Sequence, residues 1–301
     1  DGDIRRGILS GISLDEQVTK IFNETPLVTS FDSSDEVVLD LMSRFKVHQI
    51  PIVDNVGKVI GLASKDEPNK ETEEHPNWTV LLAGGLGKRL RPITENIPKP
   101  LLEVGGKPIL ESIIEDFVRQ GLRRFFISVN YKAQMITDYF SDGAKWGAEI
   151  KYIHEESQLG TAGPLGLIED KIDETLIVMN ADLITRVSFG RLLDFHSQSQ
   201  SAATMCVRRH EAEIPFGVVE VDGDEIIGIK EKPIHRHLIN AGIYTIEPKL
   251  LSLIPKNEPL DMPEFFERIL SAKHQTRVFP LREFWLDIGH PEDFETANRA
   301  F

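Results

Sequence analysis

Residues 78–109, WTVLLAGGLGKRLRPITENIPKPLLEVGGKPI, constrain the fold more than any other stretch. The apolar run Trp78–Leu82 reads as a buried strand, and it runs straight into Gly84, Gly85 and Gly87. Glycines at that spacing let a loop bend tightly and bring backbone N–H groups against a ligand. The loop then delivers Lys88, Arg89 and Arg91, and Lys99 follows between two prolines. A glycine turn followed by fixed cations suits a triphosphate, which needs many donors and offsetting positive charge.

Two common phosphate motifs are excluded. The nucleoside-triphosphatase loop requires Ser or Thr after Gly-Lys, but Gly87-Lys88 is followed by Arg89. The dinucleotide fingerprint begins at Gly85 and Gly87 and breaks at Leu90, and Pro92 opposes a helix opening directly behind the glycines.

The pattern L-x-G-G-x-G-x-R-L-x-P, followed by P-K-P at 98–100, resembles the signature of sugar-1-phosphate nucleotidylyltransferases, and the L-G-T-A-G form at 159–163 with the CBS-like segment ahead of it looks most like those of the mannose-1-phosphate guanylyltransferase type. The resemblance extends over residues 78–301. It implies that Leu82, Ala83, Gly84, Gly85, Gly87, Lys88 and Arg89 hold the nucleotide, with Arg89 and Lys99 acting on the reacting phosphates.

Beyond the loop, Ile109, Leu110, Ile113, Ile114, Phe117 and Val118 make one apolar helical face ending at Gly121. Strands are expected at 125–129, 150–153 and 175–179, with a helix at 133–140 and a last helix at 291–301. Strands alternating with helices predict an α/β fold with a doubly wound, mostly parallel, Rossmann-like sheet. In such sheets ligands bind beyond the carboxyl ends of the strands.

Gln158-Leu159-Gly160-Thr161-Ala162-Gly163 follows the third strand. Small residues there would let a flat base approach the backbone while Gln158 reads its edge, and Thr161 would also serve as the cap of a following helix. The resemblance assigns Gln158, Gly160, Thr161 and Ala162 to the base. Asn180-Ala181-Asp182 closes the next strand, and its carboxylate suits Mg²⁺ alongside phosphate. The family form is Gly-Asp, so Ala181 is a departure that keeps the acid. Trp285-Leu286-Asp287-Ile288-Gly289 resembles the family's W-x-D-x-G, whose Asp completes the metal site.

Between these two acids an antiparallel insertion is expected, with strands at 202–207, 217–221, 226–230 and 241–246 and a turn at Asp222-Gly223-Asp224. By resemblance it holds the sugar phosphate through Gly217, Glu231, Lys232, Asn240 and Gly242, with Lys232 on the phosphate. His235 and His237 are expected to flank a basic turn, and the nine histidines show no metal-ligand spacing. No hexapeptide repeat is evident after the last helix.

The first quarter reads differently. A helical stripe at Val37, Val38, Leu41, Met42 and Phe45 precedes strands at 49–53 and 59–63, which together resemble a CBS module over residues 1–64. Asp1–Arg6 would be the tail of a preceding module. An adenine nucleotide is the ligand the resemblance implies, but Ala63-Ser64-Lys65-Asp66 has Ala where a hydroxyl is needed. Dimerisation or docking is the competing role. Residues 65–77, with five acids and two prolines, read as a solvated linker.

A net charge of −14 opposes nucleic-acid binding. Eight Lys/Arg against fifteen Asp/Glu in residues 1–77 put half of that excess in the first quarter. No apolar run is long enough to cross a membrane. The single Cys206 fits a reducing cytoplasm, and an unpaired CBS face predicts a homo-oligomer. The chain begins at Asp1, consistent with a fragment or a processed product.

The sequence therefore predicts Mg²⁺-dependent transfer of a nucleotidyl group, from GTP first of all, to mannose or glucosamine 1-phosphate. Thymidylyl or uridylyl transfer to glucose 1-phosphate remains open, as does a catalytically silent regulatory subunit. A choline-phosphate cytidylyltransferase fits less well, because no aromatic cage is evident.

Overall fold

A computed structural model describes residues 9–13, 16–23, 25–30, 33, 35–53, 57–64 and 74–300. The chain divides into two compact units, Asp1–Pro68 and Asn69–Phe301. Asp1–Arg6, Lys65 and Asp66, which carry the expected CBS termini, lie outside the described residues.

In the first unit β1 (Thr29–Ser30) runs parallel to β2 (Gln49–Val53), and β2 pairs antiparallel with β3 (Val59–Ser64). Helix α1 (Asp35–Phe45) lays Val38 and Met42 against Ile50 to form a small core. Val37, Leu39, Phe45, Val59 and Leu62 of this unit are exposed.

The second unit opens with β4 (His75–Leu82). The strand begins three residues earlier than the sequence suggested, so residues 75–77 belong to the sheet and not to a linker. Asn77 Nδ2 donates to the Thr175 carbonyl at 2.7 Å, which ties this extension down. A small pair, β5 (Glu103–Val104) and β6 (Lys107–Pro108), leads into helix α2 (Ile109–Arg119). There follow β7 (Leu122–Val129), α3 (Ala133–Phe140), β8 (Glu149–His154), β9 (Leu176–Asn180), β10 (Leu183–Thr185) and α4 (Phe189–Gln198). The remainder comprises β11 (Ala203–Glu213), β12 (Val218–Asp222), β13 (Glu225–Lys230), β14 (Ile234–Ile246), α5 (Met262–Ser271), β15 (Thr276–Pro280), β16 (Trp285–Asp287) and α6 (Pro291–Ala300).

Seven strands form the central sheet in the order β15-β11-β14-β9-β4-β7-β8. Four of its six pairings are parallel; β14 against β9 and against β11 are antiparallel. Both faces are covered, which is why the parallel strands read as continuous apolar runs. Trp78 and Val80 of β4 join Phe126, Leu176 and Val178 in one core with α5, whereas Leu81 joins Phe125, Ile127 and Ile177 in another with α2 and α4. Phe117 of α2 stacks on Phe189 of α4 at 3.8 Å between ring centroids and closes the second core.

Two expectations change here. The four expected antiparallel strands are present, but those expected at 202–207 and 241–246 are parts of longer ones. β11 and β14 are long strands of the central sheet that run on past its edge, and only the β12–β13 hairpin forms its own sheet. His235 and His237 lie within β14, opposite Ala212 and His210, not beside a turn.

On α4, His196 is 2% exposed and sits in a polar knot. Its Nδ1 lies 2.8 Å from Thr204 Oγ1 and 2.9 Å from Thr245 Oγ1, while Nε2 faces Glu247 Oε1 at 3.2 Å. Burial holds the imidazole below its usual range, and the Glu247 carboxylate only partly offsets this. The unfolded chain therefore takes up this proton first. The stability is fully present above about pH 6.5 and is lost as pH falls through the lower folded value. Thermal melts between about pH 7.5 and 5 should show a decline in Tm that His196→Gln makes shallower; parallel declines in the two proteins would refute this.

Candidate active site

The parallel strands end level with one another: Leu82 is in register with Ser128 of β7 and Asn180 of β9. The loops that leave β4, β8 and β9 therefore share one edge of the sheet. The first is the glycine loop. Ala83 donates its N–H to the Ser128 carbonyl, and Gly87 turns at φ +60° with Thr94 Oγ1 donating to its carbonyl at 2.8 Å. A Cβ on Gly87 would come within 2.9 Å of Thr94 Cγ2, so this turn needs glycine on both counts. Lys88–Leu90 then form one 3₁₀ turn.

A cleft of about 310 Å³ opens over this loop. It is lined by Gly85, Gly87, Lys88, Arg89, Lys99, Gln158 and Asp182 among the expected residues, together with Gly289. Thus residues from four separate stretches of chain converge. Lys99 is buried, and its Nζ donates to Asp182 Oδ2 at 2.5 Å. The Arg89 guanidinium passes over Gly289, where a Cβ would lie 3.3 Å from Nη1. Arg89 makes no hydrogen bond among the described residues, so its five donors remain available.

Asp182 and Asp287, more than a hundred residues apart, meet through backbone pairing. β10 and β16 are antiparallel with Leu183 opposite Asp287, and the Ile288 N–H donates to the Asp182 carbonyl at 3.1 Å. Burial and the neighbouring Asp182 charge push the Asp287 carboxyl above its usual range, against the pull of Lys99 and Arg89. The Oδ1 atoms of both acids, and Oδ1 of Asn180, are buried without a hydrogen-bond partner. Such orphans are costly unless something occupies them. Hard oxygens in that state fit a divalent cation that also binds phosphate. Among the described residues no three His, Cys, Asp or Glu gather as a complete metal cage.

Ala83 and Ala162 are buried. Asn240 Oδ1 accepts from Gly242 N–H at 2.9 Å, and Gly242 (φ +70°) lies against the Asn180 side chain. Gly217, Glu231 and Lys232 stand at the β12–β13 hairpin and are not among the residues lining the cleft. A Cβ on Gly217 would lie 3.0 Å from Glu231 Oε2, so those two are adjacent. Thr161 does not cap a helix of its own; its Oγ1 accepts from Met262 N–H at 2.7 Å, at the start of α5.

Glu155 is one residue that escaped the sequence reading. Glu155, just past β8, accepts a short hydrogen bond from Ser128 Oγ on Oε1 and the Leu159 N–H on Oε2. A Cβ on Gly84 would collide with Oε1. A single carboxylate therefore touches the glycine loop and the start of the 158–163 loop together. An acid at the end of a parallel strand was the available signal.

Residues 78–301 match the nucleotidyl transferase family model, and the chain belongs to that family. A probable mannose-1-phosphate guanylyltransferase 1 of Oryza sativa subsp. japonica is 34% identical over 231 residues, covering 74% of this chain and 64% of that protein. The mannose-1-phosphate guanylyltransferase catalytic subunit beta of Danio rerio is 35% identical over 226 residues, covering 72% of this chain and 62% of that protein. The chain thus spans less than two thirds of either relative. The crystal structure of HddC from Yersinia pseudotuberculosis complexed with GMP-PN is 26% identical with a TM-score of 0.56, covering 75% of this chain and 99% of that one.

Proposed function

We propose that the Asn69–Phe301 unit transfers a nucleotidyl group from GTP to a sugar 1-phosphate of the mannose or glucosamine type. The observation that carries this reading is the convergence of Arg89, Lys99, Asp182 and Asp287 at the mouth of the glycine loop. The sugar-phosphate oxygen attacks the α-phosphorus, the new O–Pα bond forms, and the bond from Pα to the β-phosphate oxygen breaks. Pyrophosphate leaves with the electron pair. No protein nucleophile or base is required, because the phosphate monoester is already an anion. Catalysis is then positioning and charge stabilisation.

The backbone of Gly84, Gly85 and Gly87, with Lys88, cradles the triphosphate, and the guanidinium fork of Arg89 takes up charge on the departing pyrophosphate. Lys99, held by Asp182, faces the same oxygens. Lys232 meets the incoming phosphate, and Glu231 and Asn240 meet sugar hydroxyls. Asp182 and Asp287 would hold Mg²⁺, which supplies charge neutralisation between the reacting phosphates.

The relatives favour guanine, and we assign its edge to Glu155, which sits between the glycine loop and the 158–163 loop, outside the residues that line the cleft. Guanine presents adjacent N1–H and N2–H donors, and a carboxylate is an acceptor with spare lone pairs. Uracil and thymine present acceptors on either side of a single donor and would be repelled. A pyrophosphate-release panel tests both points, crossing GTP, dTTP, UTP, CTP and ATP with mannose, glucose, glucosamine and N-acetylglucosamine 1-phosphates. GTP with one sugar should dominate, and Glu155→Gln should cut the preference for GTP over UTP by about tenfold or more. A dominant dTTP or UTP signal would refute the base assignment. No turnover in any combination would favour the silent regulatory subunit.

The first quarter, residues 1–64, we take as a partial CBS regulatory domain followed by a linker that ends before β4. Its exposed Val37, Leu39, Phe45, Val59 and Leu62 support pairing with a second copy. No helix among the described residues is long and apolar enough to cross a membrane. The proposed setting is the cytoplasm, where nucleoside triphosphates are held.

A further inference from the structure

Asp261 occupies the N-cap position of α5 but makes no capping bond to its own helix. An Asp there ordinarily accepts an N–H from the first turn. Here Oδ1 instead accepts the Thr161 N–H at 3.0 Å and the Thr161 hydroxyl at 3.3 Å, a hundred residues away. Thr161 Oγ1 in turn accepts the Met262 N–H at 2.7 Å. The two residues have exchanged capping duties across the fold.

The surrounding backbone completes the clasp. The Leu260 carbonyl accepts from both Ala162 N–H and Gly163 N–H, at 2.8 and 3.0 Å, and Leu260 N–H donates to the Leu159 carbonyl at 2.9 Å. Gly160 turns at φ +75°, where a Cβ would lie 2.6 Å from Asp261 Oδ1 and 2.7 Å from the Leu260 carbonyl oxygen. The loop therefore has one conformation as long as Leu260–Met262 stay docked. Its hydrogen bonds go to Glu155 and to Leu260–Met262, leaving Gln158, which lines the cleft, to face the ligand.

We infer that Asp261 is a positioning residue that sets the shape of the 158–163 loop through Thr161. It thereby governs binding of the nucleoside triphosphate without acting on the sugar phosphate or the chemical step. This rests on the nucleotidyl-transfer reading above. A rigid loop pre-pays the ordering that a base would otherwise demand.

The test measures GTP binding with magnesium chloride by calorimetry, together with KM for each substrate and kcat, on the full chain. The variants are Asp261→Ala, Asp261→Asn and Thr161→Val. Asp261→Ala should weaken GTP binding at least about tenfold, with kcat and the sugar-phosphate KM within about threefold of the parent. Asp261→Asn keeps an acceptor oxygen and should restore most of the affinity. Thr161→Val keeps the N–H and the side-chain shape, and should fall between the two; it carries the same test if Asp261→Ala does not fold. Unchanged GTP binding in Asp261→Ala and Thr161→Val would overturn the inference alone. So would equal losses for both substrates that Asp261→Asn fails to restore. A parent protein that binds no triphosphate would overturn the functional reading, and this inference with it.

Discussion

Replacing Asp182 by Asn should lower kcat for pyrophosphate release by on the order of 10³-fold, about 4 kcal/mol of barrier. Two effects coincide in this one carboxylate. Its Oδ2 is the counterion of the buried Lys99, and its Oδ1 is one of the partnerless oxygens suited to Mg²⁺. The substitution preserves shape but leaves the Lys99 ammonium facing a neutral amide. The Lys99 and Asp182 side chains are 11% and 25% exposed, so the lost charge is poorly replaced by water. The stability cost should be about 1–3 kcal/mol, far below the activity loss. Calorimetric titration with Mn²⁺ gives a readout independent of turnover, and affinity should fall together with kcat. Unaltered metal affinity and activity within about threefold of the parent would remove Asp182 from the site.

The second large effect is expected at Arg89. Arg89→Ala should cost about 10²–10³-fold in kcat, because a free guanidinium fork over Gly289 is lost from the cleft. Arg89→Lys should recover only part of this, since an ammonium cannot reproduce a planar two-point contact with phosphate oxygens. Arg89 is exposed and makes no hydrogen bond among the described residues, so Tm should hardly move. A kcat unchanged in Arg89→Ala would place the departing pyrophosphate elsewhere.

How much of this was legible beforehand depended on whether the signal was local. Trp78–Leu82 followed by Gly84, Gly85 and Gly87 announced a buried strand and a phosphate loop, because the composition of one stretch decides both. Helix α2 was equally plain from its apolar stripe, and the strand ending at Asn180 from its β-branched run. Asp182 and Asp287 could be singled out one by one, but their meeting depends on the β10–β16 pairing, which no local pattern encodes. The length of β11 and β14 was hidden for a related reason. Past the sheet edge both strands are exposed, so their residues are polar or mixed, and the alternation that marks a half-buried strand fades. His235 and His237 looked like turn residues on that account. A register shift between Met205 and Val207 interrupts the pattern further. Glu155 and Asp261 carried only a weak signal, for a third reason. Each does its work through hydrogen bonds to another segment, and an acid next to a strand or before a helix ordinarily reads as a solvated end or a simple cap.

The fate of a single phosphorus atom reports nucleotidyl transfer directly. GTP labelled at the α-phosphorus, incubated with mannose 1-phosphate and Mg²⁺, should give label in a nucleotide sugar and none in the pyrophosphate released beside it. Label that stays in GTP or appears as GDP or GMP, for mannose 1-phosphate and for every other sugar phosphate of the panel, would contradict guanylyl transfer by this chain.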